Sequence, residues 1–196
     1  MTEEQLDKQL NIDTCGIDKR CEDNEHHAYE PTPYDVLDLL IDSGYLGAED
    51  HVVDMGAGKG RVCIYMADQL GCQAMGIEYN TDIYNQALEN LKNMKSDAQV
   101  DFCNQNAEKY EFSGEETAVF FFNPFTEKIL ESVLANVERS YCDKQRDIKL
   151  IFYYPSLEFV GRLMTKDYLE FVDEIDCSHL YKDNKGRECI MIFRII

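Results

Sequence analysis

Three glycines at alternating positions follow a short valine-rich segment and lead into a helix. Residues 51–55 predict a buried strand, and residues 61–70 have apolar positions at helical spacing. Gly56, Gly58 and Gly60 form the loop between these two elements. Glycine permits a tight turn and lets a ligand approach the backbone, and the free N–H groups at the helix start favour a carboxylate or phosphate. The segment therefore predicts the first half of a nucleotide-binding βα unit.

Acidic residues around this loop narrow the choice of ligand. A dinucleotide fingerprint, G-x-G-x-x-G, would need a glycine at the position of Arg61. Residues 54–60 instead read D-x-G-x-G-x-G, and Glu78 follows Gly58 by 20 residues, at the end of a second apolar segment. An acidic side chain at that position accepts hydrogen bonds from ribose hydroxyl groups. The spacing therefore favours a ribose-containing ligand other than a nicotinamide dinucleotide.

The D-x-G-x-G-x-G pattern, with an acidic residue at this distance, resembles motif I of the class I S-adenosylmethionine (SAM)-dependent methyltransferases. The resemblance spans residues 34–196 and implies SAM as the cofactor, S-adenosylhomocysteine (SAH) as its product, and methyl transfer as the activity. It implies that Asp54 lies near the methionine amino group, Glu78 near the ribose and Tyr79 near the adenine. The cofactor-binding residues that it implies are Asp54, Gly56, Ala57, Gly58, Gly60, Glu78, Tyr79, Asn106, Ala107 and Asn123.

The tripeptide Asn123-Pro124-Phe125 follows a strongly apolar segment, residues 117–122, which predicts a buried strand. Ligands of open α/β sheets bind outside the carboxyl ends of the strands, so we expect the tripeptide at the same crevice as the glycine loop. It resembles motif IV of the amino-group methyltransferases, written D/N/S-P-P-Y/F. The resemblance implies Asn123, Pro124 and Phe125 as catalytic residues that orient a target nitrogen toward the methyl group. Phe125 replaces the second proline of the motif, which disfavours stacking on a nucleobase.

An alternative interpretation assigns this tripeptide a structural role and no catalytic one. Asn123 would then cap the following helix and Pro124 would start it, which are common positions for these two residue types. The sequence leaves both interpretations open.

Four tyrosines are candidates for the acceptor pocket. Tyr29 and Tyr34 precede the first strand, where methyltransferases of this class often carry a helix that covers the cofactor, although a tyrosine-rich packing edge explains them equally well. Tyr153 and Tyr154 end the fifth predicted strand and are expected to face the same crevice. His179 is a candidate base, but a lone histidine near a turn is typical of solvated surface.

Strands and helices alternate along the chain, which predicts a doubly wound, mostly parallel α/β sheet. The resemblance adds a C-terminal antiparallel hairpin, which brings the sheet to seven strands, with a turn at residues 183–186. Apolar spacing in the third helix predicts that Ile83, Ala87, Leu88 and Leu91 face the core. The predicted helices are 34–43, 61–70, 81–95, 126–141 and 157–165, and the predicted strands are 51–55, 73–79, 100–104, 117–122, 148–154, 171–177 and 188–195.

The first 33 residues differ in composition from the rest of the chain. They are polar and acidic, and the first 30 predict a flexible or loosely packed extension with one short helix in the first ten residues. We therefore expect two parts: residues 1–33 as an acidic extension and candidate lid, and residues 34–196 as the SAM-binding methyltransferase domain.

The charge of the chain bears on its partners. It carries 38 acidic and 19 basic residues, with a formal net charge of −19. Such a chain repels nucleic acid at long range, so a small molecule or a basic protein is the expected acceptor. No apolar run approaches the length of a membrane span, and the first ten residues lack the apolar core of a signal peptide, which predicts a cytoplasmic location.

Cysteines and histidines give no recognisable metal motif. The spacing C-x5-C-x4-H-H at residues 15–27 matches no common zinc pattern, and the remaining cysteines are expected to behave as small apolar residues. We therefore expect no metal. The leading hypothesis is a SAM-dependent methyltransferase acting on nitrogen or oxygen of a small-molecule or protein acceptor. The alternatives are a nucleic-acid methyltransferase, a non-catalytic SAM-binding protein and a nicotinamide oxidoreductase.

Overall fold

The computed structural model describes residues 1–19, 23–182 and 187–196. Its helices and strands alternate as the sequence predicts, and most of their bounds lie within two residues of the predicted ones. The helices are α1 (Glu3–Leu10), α2 (Tyr34–Asp42), α3 (Arg61–Leu70), α4 (Thr81–Asn93), α5 (Glu127–Asp143) and α6 (Leu157–Leu163). The strands are β1 (His51–Met55), β2 (Gln73–Glu78), β3 (Gln99–Asn104), β4 (Ala118–Phe121), β5 (Lys149–Tyr153), β6 (Leu169–Asp176) and β7 (Cys189–Ile195).

The strands form one sheet in the order β3-β2-β1-β4-β5-β7-β6. β1 to β5 pair in parallel, whereas β7 pairs antiparallel with β5 and β6. This arrangement confirms the predicted fold class. The strand order reverses between β1 and β4, and ligands of such sheets bind at that switch point, outside the carboxyl ends of the strands. The predicted turn at 183–186 lies outside the described residues.

Apolar side chains cover both faces of the sheet. One cluster joins the sheet to α2 and α3, and the other joins it to α5 and α6 through stacked rings such as Phe121 and Phe152, whose centroids are 4.5 Å apart. On α4, Ile83 and Ala87 are buried as predicted, but Leu88 is 37% exposed. The prediction for Leu88 is wrong because it follows Ala87 directly, and a helix turns each successive side chain by about 100°.

A buried arginine joins the N-terminal segment to the first helix after β1. Arg61 is 2% exposed, although it is the first residue of α3. Its guanidinium pairs with Glu3 and with Asp7, and its Nε donates to Thr14 Oγ1 at 2.7 Å. It also lies 4.3 Å from the centre of the Tyr34 ring. α1 is thus held against the domain, whereas the division at residue 33 remains a prediction.

None of the helices within the described ranges is long and apolar enough to cross a membrane.

We predict that Arg61→Met destabilises the protein by about 3–5 kcal/mol, because the buried Asp7 carboxylate loses its charged partner. The free energy of unfolding in urea measures this loss. Arg139→Met is the matched control, since Arg139 is exposed on α5 and its replacement should change stability by less than about 0.5 kcal/mol. A loss for Arg61→Met no larger than that of the control would show that the pairing contributes nothing.

Candidate active site

A crevice lies at the carboxyl ends of β1, β2 and β4, at the switch point of the sheet. Residues 54–58 form one wall, and Glu78 and Tyr79 form the second. The turn after β4 closes one end at Pro124, and residues 26–32 cover the crevice from outside. The enclosed space is about 70 Å³, whereas ligand pockets usually hold roughly 300–1,000 Å³. A ligand of nucleoside size therefore enters only if the covering residues move.

The glycine loop approaches its neighbours very closely. Gly56 and Gly58 have φ angles of +93° and +56°. A Cβ atom on Gly56 would lie 2.4 Å from Cβ of Pro124, and one on Gly58 would lie 2.3 Å from the Tyr29 ring. Gly60 differs, because a Cβ there would meet the Phe102 ring. Gly60 therefore shapes the start of α3, and its predicted contact with the cofactor has no support in the geometry of the crevice.

Two buried carboxyl groups face this loop. Asp54 is 3% exposed and Glu78 is 8% exposed. Glu78 accepts the backbone N–H groups of Gly58 at 2.9 Å and of Asn80 at 2.7 Å. Burial raises the pKa of Asp54 to about 8, and the negative charge of Glu78 adds to this shift. Burial also raises the pKa of Glu78, against the effect of the two N–H donors. The pair favours a cationic group in the crevice.

Residues 23–32, which we call the strap, pair with the turn after β4. The N–H of His27 donates to the Pro124 carbonyl at 3.1 Å, and the N–H of Thr126 donates to the Glu25 carbonyl at 2.9 Å. The Nδ1 of His27 donates to the Asn123 carbonyl at 2.6 Å. The backbone oxygens of the turn are therefore already hydrogen-bonded to the strap.

Two rings of the strap lie over the crevice. The His26 ring stacks on Tyr79 with centroids 4.2 Å apart and planes at 3°, and its buried Nε2 has no partner among the described residues. Tyr29 lies against Gly58 and donates its hydroxyl to the Thr14 carbonyl at 2.5 Å. Tyr29 thus lies on the cofactor side of the site, not in an acceptor pocket. No periodic pattern marks this segment in the sequence, so the position of His26 was not predicted.

The region after β3 differs from the prediction. Ala107 lines the crevice, as expected. Asn106 instead caps a short 3₁₀ helix, Ala107–Lys109, by accepting the N–H of Glu108 at 3.1 Å. Gln105 lines the crevice beside Ala107 and was missed by sequence reasoning. Its position one residue after β3 was the available signal, since the carboxyl ends of parallel strands meet at this edge.

A second pocket lies beside the crevice and shares His27, Ala28, Glu30 and Phe122 with it. Its volume is about 620 Å³. Tyr153 and Tyr154 line this second pocket and not the crevice that their position at the end of β5 led us to expect. Tyr34 does not line the second pocket, because it is fully buried beside Arg61 and donates its hydroxyl to Asp7 at 2.6 Å. Tyr34 therefore packs in the core, away from the pocket in which a substrate contact was predicted for it.

Asn123 also lines the second pocket, with a φ angle of +40°. Its buried Oδ1 has no partner among the described residues. Helix α5 begins at Glu127 with Thr126 in the cap position, so Asn123 does not cap it and Pro124 does not start it. The Oγ1 of Thr126 makes no capping hydrogen bond. Asn123 is thus a strained residue of the second pocket whose side-chain oxygen is buried and has no partner among the described residues.

Phe125 has a packing role. It is 2% exposed, and its ring centroid lies 6.3 Å from that of Phe121 and 6.4 Å from that of Phe159. Its edge reaches the crevice wall, but its ring belongs to the core. The candidate base His179 is exposed on a short 3₁₀ helix, Ser178–Leu180.

No group of three or more histidine, cysteine, aspartate or glutamate side chains in the described part of the chain could hold a metal ion. Of the C-x5-C-x4-H-H residues, Cys21 lies outside the described residues. Cys63, Cys72 and Cys177 are buried and free, which fits their expected role as small apolar residues.

The sheet order, the glycine loop and the crevice at the switch point together define a SAM-dependent class I methyltransferase fold. Residues 52–141 match the family model described as a methyltransferase domain. The matching family model and the sheet order are both those of the class I SAM-dependent methyltransferases, which this chain resembles over these residues. Gly56 and Gly58 bring the loop backbone to the crevice without a side chain, and the two buried carboxyl groups suit a cationic group, so the residues present fit SAM.

Known proteins with similar sequence or structure agree with this assignment. A protein-lysine N-methyltransferase from Saccharolobus islandicus is 32% identical over 68 residues, which are 34% of this chain and 42% of the relative. The chain therefore spans less than half the length of that relative. An RNA methyltransferase from Salinibacter ruber in complex with SAH has a TM-score of 0.60 at 20% identity, over 85% of this chain and 92% of that one. A TehB-like SAM-dependent methyltransferase from Corynebacterium glutamicum has a TM-score of 0.57 at 17% identity, over 81% and 85% of the two chains.

We predict that Gly58→Ala weakens SAH binding by at least about 10-fold, because the added methyl group would meet Tyr29 and the φ angle disfavours a side chain. Calorimetric titration with SAH measures the affinity. Gly47→Ala is the control, since nothing lies within 4 Å of a Cβ at Gly47. Equal SAH affinities for the two variants would show that the glycine loop does not contribute to cofactor binding.

The raised pKa of Asp54 predicts proton release on cofactor binding. At pH 7 the carboxyl group is mostly protonated, because its pKa is about 8. The ammonium group of the cofactor, placed near Asp54 by the family resemblance, should lower this pKa and release up to about one proton per site. Calorimetry at pH 7 in phosphate and in Tris measures the release, and Asp54→Asn should abolish it. Identical heats in both buffers for the unmodified protein would contradict the prediction.

The raised pKa of Asp54 also determines how the stability of the ligand-free protein changes with pH. The pKa of Asp54 rises from 3.8 to about 8 on folding, so the unfolded state binds fewer protons between these values. The contribution of Asp54 to the free energy of unfolding is therefore fully present below pH 3.8 and is lost as the pH rises to about 8. Asp54→Asn should be less sensitive to pH over this range in urea unfolding.

Proposed function

We propose that this protein transfers the methyl group of SAM to a nitrogen or oxygen atom of a small-molecule or protein acceptor, with an amine of a basic protein as the favoured case. One observation carries the proposal: Asn123, whose buried Oδ1 has no partner among the described residues, lines the second pocket and stands between Phe122 and Pro124, which line the cofactor crevice. The crevice suits the methyl donor, and the pocket is open to an acceptor.

The protein contributes mainly by positioning the methyl donor and the acceptor, and it contributes little to their chemical activation. SAM carries its methyl group on a positive sulfur, so transfer needs chiefly an aligned nucleophile. Asp54, Glu78 and Tyr79 all line the crevice, which supports roles for Asp54 at the cationic part of the donor, for Glu78 at the ribose and for Tyr79 at the adenine. The Oδ1 of Asn123 accepts a hydrogen bond from the target N–H and directs the nitrogen lone pair toward the crevice. The new N–C bond forms as the C–S bond breaks, and the nitrogen then loses its extra proton to water.

Charge supports a basic acceptor. The net charge of −19 draws cationic partners toward the protein and repels nucleic acid. The relative from Saccharolobus islandicus is named a protein-lysine N-methyltransferase, which agrees with an amine acceptor. The likeness to an RNA methyltransferase, at 20% identity, concerns the fold alone. A nucleic-acid acceptor and a non-catalytic SAM-binding role remain the alternatives that an assay must test.

We predict that Asn123→Gly lowers methyl transfer by about 100-fold, because the nitrogen loses the acceptor that orients it. Glycine tolerates the φ angle of +40°, so the loss cannot come from backbone strain. Transfer is measured with methyl-tritiated SAM and a cell extract separated into protein, RNA and small-molecule fractions. SAH affinity of Asn123→Gly should stay within about 2-fold of the unmodified protein, and Glu78→Ala should weaken it strongly.

The fraction that acquires label decides between the alternatives. Label in protein or small molecules that disappears in Asn123→Gly supports the proposal. Label in RNA would establish the nucleic-acid alternative. Tight SAH binding with no label in any fraction would leave the non-catalytic role.

A further inference from the structure

We propose that the second pocket recognises its acceptor as an alkylammonium group, of the kind carried by a lysine side chain on a polypeptide. This inference rests on the proposed function and names the class of acceptor. The residues that carry it come from the strap, from the ends of β4 and β5, and from the segment around β7. They are Glu30, Phe122, Tyr153, Tyr154, Tyr181 and Glu188.

Aromatic rings form one side of the pocket. The Phe122 and Tyr153 centroids are 4.7 Å apart, and those of Tyr153 and Tyr154 are 6.2 Å apart. The hydroxyl groups of Tyr153 and Tyr181 are hydrogen-bonded to each other, which connects the fourth ring to this wall. The face of an aromatic ring attracts cations through its quadrupole, and rings around one space are the usual means of binding an alkylammonium group.

Two carboxylates supply negative charge to the same space. Glu188 is 6% exposed and accepts the backbone N–H of Arg187 at 3.0 Å, whereas Glu30 is exposed at the entrance. Burial raises the pKa of the Tyr181 hydroxyl, and the negative charges of Glu188 and Glu30 raise it further, which places both carboxylates near this ring. Among the lining residues, His27 is the one basic side chain. The two carboxylates therefore favour an ammonium group over an anion in the pocket, and the Arg187 guanidinium at the Tyr154 ring is the cation with which that group competes.

One ring of this wall already holds a cation. The guanidinium carbon of Arg187 lies 4.5 Å from the centre of the Tyr154 ring. Tyr154 has a φ angle of +51° and its N–H donates to the Cys189 carbonyl at 3.0 Å, so its ring is held in place by the backbone of β7. The Tyr154 ring thus has the position and the electrostatics of a cation-binding surface within this chain.

The pocket also places an ammonium group at the reaction centre. Phe122 lines both the pocket and the crevice, and Asn123 follows it with its unpartnered Oδ1. An amine held between the rings would have its nitrogen next to Asn123. Methyl transfer needs the neutral amine, so the ammonium must first lose one proton, which leaves through the open mouth of the pocket to water. The carboxylates therefore select the cationic form for binding, and deprotonation precedes transfer.

The test uses the full chain saturated with SAH and two probes of similar shape, n-butylammonium chloride and n-butanol. Amide chemical shifts in NMR titrations report binding at Phe122, Tyr154 and Tyr181. We expect n-butylammonium to bind at least about 10-fold more tightly than n-butanol. Glu30→Gln and Tyr154→Leu should each weaken the binding of n-butylammonium by about 2- to 30-fold. Tyr154→Phe should leave this binding unchanged, because it keeps the ring face. Glu158→Gln, an exposed carboxylate on α6, is the matched control.

The outcomes separate this inference from the proposed function. Equal binding of the two probes, or no effect of Glu30→Gln and Tyr154→Leu beyond that of Glu158→Gln, overturns the cation pocket even if methyl transfer occurs. Preferential n-butylammonium binding that follows the variants supports the pocket, even if no extract fraction acquires label and the proposed function fails. Methyl transfer to a lysine-containing peptide but not to its lysine-to-norleucine counterpart, reduced in Tyr154→Leu with SAH affinity unchanged, supports both.

Discussion

The close approach of the glycine loop to two other segments is the constraint on which the site depends. Pro124 fills the space that a side chain at Gly56 would need, and Tyr29 fills the corresponding space at Gly58. The first contact joins the loop after β1 to the turn after β4, and the second joins it to the strap. Because neither contact tolerates a Cβ atom, the two glycines connect the cofactor crevice, the Asn123 turn and the cover of the site into one structure.

Negative charge predominates both in the chain as a whole and among the ionisable groups of the two sites. The excess of acidic residues gives the protein a negative field, and carboxylates also line the two sites: Asp54 and Glu78 line the crevice, Glu188 lines the second pocket, and Glu30 lines both. Burial disfavours the charged form of Asp54, as its raised pKa shows. A cation that enters the crevice beside Asp54 therefore relieves an existing cost, which is a source of selectivity for positively charged ligands.

The sequence predicted the parts of the site that depend on local pattern, and missed those that depend on distant contacts. The bounds of β1 and α3 were predicted to the residue, because a valine-rich strand, alternating glycines and an amphipathic helix are each visible within a short window. The position of Tyr153 and Tyr154 at the end of the fifth predicted strand was enough to predict that they lie near the site. The burial of Arg61 arises from Glu3 and Asp7, more than 50 positions earlier, and the stacking of His26 on Tyr79 joins segments equally far apart. No local period encodes either contact.

The anchoring of α1 has a consequence for how the chain acquires its fold. Arg61 holds α1 by its acidic residues, and the N–H of Lys95 donates to the Leu10 carbonyl at 3.0 Å. Helix α1 thus has native partners that are synthesised 50 to 90 residues later. Closing such long loops costs entropy that local contacts do not repay. α1 can therefore complete these contacts only after the segments that form α3 and the end of α4 have been synthesised.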